Sequence, residues 1–251
     1  MSSRLVILVL AVLLASHQAL AATCSLLTSG SNATNATDYT TASVAPGSNR
    51  LLLLAISNVR NAATACANAN VNSISGAGLT WVLVQEQCFS DAVIPTNNLA
   101  LFRAMGPSPS SGTLSIGYVS TQTSAAWAVV ECTEVDTSGT NGSGAVVQSV
   151  ENSGNASTFS LTLSAFAKSD NISFAAFAAN NNDDMTPKSG WTELSETQVV
   201  DGGLDYVLQT QVLHSADTSP SATPEAARDW AGIAIEIKSL LTDQGDIIWL
   251  P

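Results

Sequence analysis

Short apolar runs alternate along this chain with clusters of Gly, Pro, Asn, Asp and Ser, and helical periodicity is nearly absent after the first residues. Within Thr158–Ser164, Phe159, Leu161 and Leu163 alternate with Ser and Thr, as expected of a strand with one buried face. By contrast, Leu51–Ile56 is apolar throughout, which predicts a central strand buried on both faces. The pattern therefore predicts an all-β protein.

A strand is predicted wherever an apolar run lies between two clusters of turn residues. The predicted strands are 39–45, Leu51–Val59, Leu79–Gln87, Asn98–Met105, Gly112–Tyr118, Ala125–Val135, Thr158–Ser164, Asn171–Ala179, Trp191–Val199, Leu204–His214 and Trp230–Lys238. Many short strands of this kind favour an antiparallel jelly-roll β-sandwich.

The later strands resemble the earlier ones. Ser-Asn-Arg at 48–50 matches Ser-Asp-Asn at 169–171, and each triplet precedes an apolar strand. This repeat predicts two related halves, at about 38–137 and 155–239. The halves form either one larger sandwich over 38–239 or two small sandwiches in tandem. The short Gly-, Ser- and Asn-rich link between them favours a single sandwich.

Both ends of the chain are expected to lie outside the sandwich. Residues 1–21 have a positive start, an apolar run at Leu5–Ala15 and an Ala-x-Ala pattern, which predicts a secretory signal peptide. No segment matches the ~20 apolar residues that span a bilayer. We therefore expect a secreted, extracellular or cell-surface protein without a transmembrane segment. An N-terminal tail is expected at 22–37, and an apolar C-terminal tail at 240–251.

Charge is scarce and mostly negative. Only 11% of the residues are charged, and 8 Lys and Arg stand against 20 Asp and Glu, which gives a formal net charge of −12. Because no basic stripe can form to neutralise phosphates, no nucleic-acid partner is expected. A hydrophobic content of 45% also argues against a disordered chain.

The four cysteines are expected to form two disulfides, because an even number in an oxidising compartment is typical of such bonds. Of the three possible connectivities, we favour Cys66 with Cys88 and Cys24 with Cys132. A zinc site is the weaker alternative, because the cysteines are not closely spaced in pairs. Cys132 alone can also be a small buried apolar residue.

The sequence supplies little catalytic chemistry. A serine hydrolase would need His214 as its base, and no Gly-x-Ser-x-Gly motif is present. A glycosidase needs two facing carboxylates. There are two candidate pairs, Glu131 with Glu134 and Glu193 with Glu196. In each pair the two glutamates are three residues apart, which places them on opposite faces of a strand. A pair across strands stays open, but no catalytic residue is assigned, and a protein that is not an enzyme is favoured.

Two oxygen-rich loops, 180–184 and 201–205, are candidates for a calcium site, although solvated turns are the favoured interpretation. Neither loop has the spacing of a calcium-binding loop, so no cofactor and no metal ligand are expected, with Ca²⁺ as the open alternative. Trp191 follows a loop beside the first cluster and is the aromatic residue expected to stack on a sugar. Tyr206, Asp183 and Asp184 complete the set of ligand-binding candidates.

N-x-S/T sequons mark the asparagines that a eukaryotic host would glycosylate. They are Asn32, Asn35, Asn141, Asn155 and Asn171.

Several segments resemble a group of secreted, Ser/Thr-rich β-sandwich domains that are common in environmental bacterial and phage-associated proteins. These segments are 40–53, Gly78–Trp81, Val135–Gly139 and Trp230–Gly232. The resemblance implies a jelly-roll or concanavalin-like fold with an extracellular binding or structural role. We expect a structural or adhesive module whose partners are a glycan or copies of itself, with the C-terminal tail as a route to oligomers. The alternative is a carbohydrate-active enzyme on a jelly-roll scaffold.

Overall fold

The computed structural model describes residues 21–62, 66–89 and 96–240. Apart from Ala21 and Leu240, the expected signal peptide and C-terminal tail lie outside these ranges. The described residues form antiparallel strands and one short 3-10 helix, at Cys66–Asn68, which confirms the all-β class. No helix in the described ranges is long and apolar enough to cross a membrane.

The first eight strands form one β-sandwich, called here the first sandwich. Its strands are β1 Thr23–Asn32, β2 Ala36–Thr40, β3 Leu51–Arg60, β4 Val71–Gly76, β5 Val82–Phe89, β6 Thr96–Ala104, β7 Leu114–Gln122 and β8 Ser124–Thr133. They pair in a five-stranded sheet, β1-β8-β3-β6-β5, and a three-stranded sheet, β2-β7-β4.

The remaining strands form a second sandwich. They are β9 Val146–Ala156, β10 Phe159–Ser160, β11 Ile172–Asn180, β12 Met185–Pro187, β13 Thr192–Val199, β14 Tyr206–Leu213, β15 Ser221–Pro224 and β16 Arg228–Ile237. Their sheets, β9-β16-β11-β14-β13 and β10-β15-β12, repeat the first two with every strand number raised by eight. The predicted repeat is therefore confirmed at the level of topology. The finer jelly-roll assignment stays a prediction.

The two sandwiches pack through their five-stranded sheets, so the molecule has four layers. The central core between these sheets holds Leu51 and Leu53 of β3 together with Phe174 of β11 and Ile235 of β16. Each sandwich also has an outer core of its own, between its large and its small sheet. The favoured single sandwich is therefore wrong: two small sandwiches share one apolar interface, because both faces of each large sheet are apolar.

The packing of the two sandwiches has approximate two-fold character. At one side of the interface β1 lies against β13, and at the other side β5 lies against β9. The repeat makes β9 the counterpart of β1, and β13 the counterpart of β5. The same two surfaces therefore meet twice, as in an isologous dimer.

The sequence pattern did not predict the polar strands at the sheet edges. The segment expected to be a tail, 22–37, forms β1 and the start of β2, and the expected link forms most of β9. Both β1 and β9 are rich in Ser, Gly and Asn, and each pairs along its length with one buried strand, β8 or β16. Backbone pairing to a buried neighbour stabilises these strands, so their side chains carry little strand signal.

The two disulfides are those that we favoured. Cys24 is bonded to Cys132, its direct neighbour across β1 and β8. Cys66 is bonded to Cys88, which joins the 3-10 helix to the end of β5. Two such bonds are typical of proteins in an oxidising compartment.

Candidate functional site

The carboxylates Glu193 and Glu196 lie on the same face of β13, contrary to expectation. A bulge between Glu193 and Ser195 inserts an extra residue and reverses the alternation. The side-chain nitrogen of Gln209 donates to both carboxylates, at 3.1 Å to Glu193 and 3.0 Å to Glu196. Burial raises the pKa of each carboxyl group. The two groups therefore form a pair, although three residues separate them.

Two observations favour a structural role for this pair. First, the Gln209 amide occupies the gap in which a glycosidase needs its sugar. Second, the first sandwich has a carboxylate after the matching bulge of β5, at Glu86. Glu86 accepts a hydrogen bond from the backbone of Val71 in β4, as Glu196 does from Met185 in β12. Each glutamate therefore ties its large sheet to the small one.

Glu131 and Glu134 do not form a pair. Glu131 is buried, bonded to Arg50 at 2.7 Å, and also accepts the backbone N–H of Gly47 at 2.6 Å. Glu134 is exposed and has a positive φ of 55°. His214 accepts the backbone N–H of Cys24 and so joins the two sandwiches. None of these groups meets another in a catalytic arrangement.

Trp191 is not an exposed stacking surface, so that prediction is wrong. Its side chain is only 8% exposed and belongs to the outer core of the second sandwich. The indole N–H donates to Asp217 at 2.9 Å, and Lys188 pairs with the same carboxylate at 2.8 Å. Burial raises the pKa of Asp217, but the hydrogen bonds from Lys188, Trp191 and Ser219 outweigh it and hold the pKa at about 2.

The other ligand-binding candidates are also engaged within the protein. Tyr206 is buried in the central core, with its hydroxyl near the Ser57 carbonyl at 3.4 Å. Asp183 forms an ion pair with Arg228 at 2.6 Å, and Asp184 accepts a hydrogen bond from Gln198. Tyr206 therefore cannot stack on a ligand, and the two aspartates already have partners.

The loops proposed for calcium gain no support from neighbouring acidic groups. In the described ranges, no three His, Cys, Asp or Glu side chains are grouped to hold a metal ion. In the second loop, the Asp205 carboxylate closes the turn by accepting the Asp201 backbone N–H at 2.8 Å. These loops are turns stabilised by their own side chains.

The sequons differ in their accessibility. Asn32, Asn35 and Asn155 are exposed, and Asn141 is half-buried. Asn171 is only 2% exposed, and its amide donates to the buried carboxylate of Glu236. An oligosaccharide cannot be attached to Asn171 in the folded protein, so this sequon is structural.

A polar cavity lies at one end of the first sandwich. This cavity, called here the rim cavity, has a volume of about 250 Å³ and is lined by Asn35, Arg60, Asn61, Ala62, Thr121, Gln122 and Thr123. Arg60 donates to the Thr121 carbonyl at 3.3 Å, and its buried Nε has no partner in the part of the chain that the structure describes. The lining therefore offers amide, hydroxyl and guanidinium groups, and no carboxylate.

A group of buried and half-buried polar side chains extends inward from the rim cavity. We call it the amide cluster; its members are Glu86, Asn58, Asn98, Tyr118 and Gln122. Asn58, Asn98 and Gln122 are fully buried, Tyr118 is nearly so, and Glu86 is half-buried. Asn58 donates to Gln122 at 3.0 Å, and Asn98 donates to Glu86 at 2.8 Å. Burial raises the pKa of Glu86 and, strongly, that of Tyr118.

Sequence reasoning missed both features for one reason. Asn58 and Asn98 lie near the ends of strands whose central residues are apolar, and polar residues near strand ends are ordinary turn signals. Only the tertiary structure shows that these amides are buried and face each other across β3 and β6. One sequence pattern could have indicated the burial of Asn58 and Asn98. Both lie close to an apolar run in their strands, and such runs are buried.

Comparisons with known proteins leave the site to be interpreted from its own geometry. No family model matches the chain, and searches of curated proteins and of solved structures give no match either.

Proposed function

We propose that this protein is a secreted structural and adhesive module that binds a hydroxyl-rich ligand, a glycan, in the rim cavity. The rim cavity is the observation that carries the proposal, because its lining combines hydrogen-bond donors and acceptors without a charged acid. Sugar hydroxyls both donate and accept hydrogen bonds, as amide and threonine side chains do. The two disulfides support an extracellular location.

The volume of the rim cavity and the exposed amides at its edge are consistent with a small ligand. About 250 Å³ lies just below the volumes typical of drug-sized ligands, which suits a single sugar ring. Asn35 and Asn61 are exposed at its rim. In an adhesive protein such weak single sites act together, since many copies bind one polymer or surface.

Glycan binding can be tested on protein made in a host without N-glycosylation, because Asn35 is itself a sequon. Binding to a panel of soluble oligosaccharides is measured by calorimetry for the wild type and for Asn35→Ala/Asn61→Ala. We expect the variant to bind about tenfold more weakly, because two hydrogen bonds of roughly 0.7 kcal/mol each are lost.

A second cavity supplies the matched control. It has about 320 Å³ and is lined in part by Thr80, Ser108 and Asn141. The Ser108→Ala variant should bind as the wild type does. Equal binding by the wild type and the rim variant, or no binding to any oligosaccharide, would contradict the proposal. Light scattering on the same samples reports separately whether copies of the chain associate.

A further inference from the structure

The amide cluster places polar groups where the second sandwich has an apolar core. Asn58 and Asn98 are direct partners across β3 and β6. The matching pair across β11 and β14 is Ala179 and Val207, and both are buried in the outer core. The same fold therefore forms with two apolar side chains at these positions. The sandwich architecture by itself does not require amides at these positions.

The hydrogen bonds of both asparagines fix the orientation of their amides. The Asn58 nitrogen donates to the Ala69 carbonyl at 2.9 Å, and the Asn98 nitrogen donates to the Glu86 carboxylate. Carbonyl and carboxylate oxygens only accept, so neither amide can be flipped. Each side-chain oxygen, Oδ1, is then buried without a donor among the described residues. The hydroxyl of Tyr118 is a third buried oxygen for which residues 21–62, 66–89 and 96–240 supply no partner.

The cluster also holds a carboxylate that no described residue pairs with a positive charge. Glu86 forms no ion pair with any described residue. Its Oε1 accepts only neutral donors, the Val71 N–H at 3.0 Å and the Asn98 amide at 2.8 Å. Tyr118 lies opposite Val71 in the small sheet and so closes the cluster from that side. The unpartnered oxygens and the partly buried carboxylate therefore belong to residues that are neighbours in strand pairing or hydrogen bonding.

We propose that the amide cluster binds a hard cation, Ca²⁺ or Na⁺, through Asn58 Oδ1, Asn98 Oδ1, the Glu86 carboxylate and the Tyr118 hydroxyl. Amide, carboxylate and hydroxyl oxygens are the ligands that such cations prefer. A buried water could donate hydrogen bonds to the unpartnered oxygens, but it would leave the charge of Glu86 unbalanced. A cation would coordinate the same oxygens and also balance that charge. With a single carboxylate the affinity for Ca²⁺ is weak, of the order seen in extracellular modules, roughly 10⁻⁴–10⁻³ M.

The test uses the full chain after treatment with a chelator and dialysis into buffer whose only cation is tetramethylammonium. Thermal unfolding is followed while CaCl₂ or NaCl is added, with tetramethylammonium chloride as the ionic-strength control. We expect one metal salt to raise the Tm by several degrees, because a ligand that binds only the folded state stabilises it. Which salt does so identifies the cation. Terbium luminescence sensitised by Tyr118 reports binding independently of stability.

Two variants decide the outcome. Asn58→Ala/Asn98→Val copies the residues of the second sandwich, and Glu86→Gln removes the charge while keeping an acceptor for Val71. Both should lose the metal-specific rise in Tm. The matched control is Glu196→Gln, the counterpart of Glu86 in the second sandwich, which should keep it. No metal-specific rise in the wild type, or the same rise in Glu86→Gln, would overturn the site, as would a crystal structure with water there.

Discussion

At the scale of single residues, buried carboxylates occupy corresponding positions in both sandwiches. Glu131 of β8 lies opposite Leu52, and Glu236 of β16 lies opposite Ser173, its counterpart. The partner of Glu131 is Arg50, and that of Glu236 is Asn171. Arg50 and Asn171 are the last residues of the matched triplets 48–50 and 169–171. The similarity seen in the sequence therefore reflects a shared structural role, because each triplet supplies the partner of a buried acid in the last strand of its sandwich.

The low pKa of Asp217 predicts a pH-dependent contribution to stability. A carboxyl group whose pKa falls from 3.8 to about 2 on folding stabilises the protein above pH 4. This contribution is lost as the pH falls towards 2. We expect Asp217→Asn to lower the free energy of unfolding by about 1 kcal/mol at pH 7, because the pair with Lys188 is partly exposed.

Urea unfolding of both proteins at several pH values between 2 and 7 measures this difference. It should shrink as the pH falls and vanish near pH 2. The exposed carboxylate variant Glu225→Gln is the control, and it should match the wild type throughout. A difference that stays constant with pH would assign the effect to packing around Trp191 instead.

At the scale of elements, irregularities in the strands determine which side chains meet. The bulges of β5 and β13 occur at the same place in the two sandwiches, next to Leu83 and Glu193. In β13 the bulge brings two carboxylates onto one face, which a regular strand would separate. A bulge has no composition of its own, so alternation counted along the sequence assigned Glu193 and Glu196 to opposite faces.

The two disulfides should differ in their contribution to stability. Cys24 and Cys132 are 108 residues apart, and Cys66 and Cys88 are 22 apart. If a disulfide acts by restricting the unfolded chain, the longer loop is worth about 5 kcal/mol and the shorter about 3 kcal/mol. We therefore expect Cys24→Ala/Cys132→Ala to be the less stable of the two double variants.

Chemical unfolding of both double variants, compared with the oxidised wild type, checks this order. The reverse order would show that contacts made by the folded disulfides, rather than chain entropy, dominate. In that case Cys66–Cys88 would act mainly by holding the residues around Ala69 over the amide cluster.

At the scale of the whole molecule, the shared central core makes the two sandwiches depend on each other. Leu53 and Leu101 of the first sandwich and Leu208 of the second are fully buried in it. A single sandwich would expose this face to water, at about 25 cal/mol for each Å² of apolar area. The molecule is therefore expected to unfold as one unit.

Hydrogen exchange of the Leu208→Ala variant tests this dependence. Removing a buried Leu side chain should lower the free energy of unfolding by about 2–5 kcal/mol. Amide protection should then fall in β3 of the first sandwich as well as in β11 of the second. Val200→Ala, at a residue that is 67% exposed, should change neither. Loss of protection confined to β11 would mean that the sandwiches unfold separately.

Sequence patterns alone predicted the all-β class, the repeat, most of the buried strands and the presence of two disulfides, whereas the structure established which cysteines pair. Short-range patterns in the sequence indicate these properties: alternation of apolar and polar residues, clusters of turn residues and an even number of cysteines. The folded structure was needed to show that β1 and β9 are strands, that two sandwiches share a core and that Trp191 is buried. It alone placed Asn58 opposite Asn98 beside Glu86. Each of these depends on pairing between residues far apart in the chain, and the burial of a side chain is set by what packs over it.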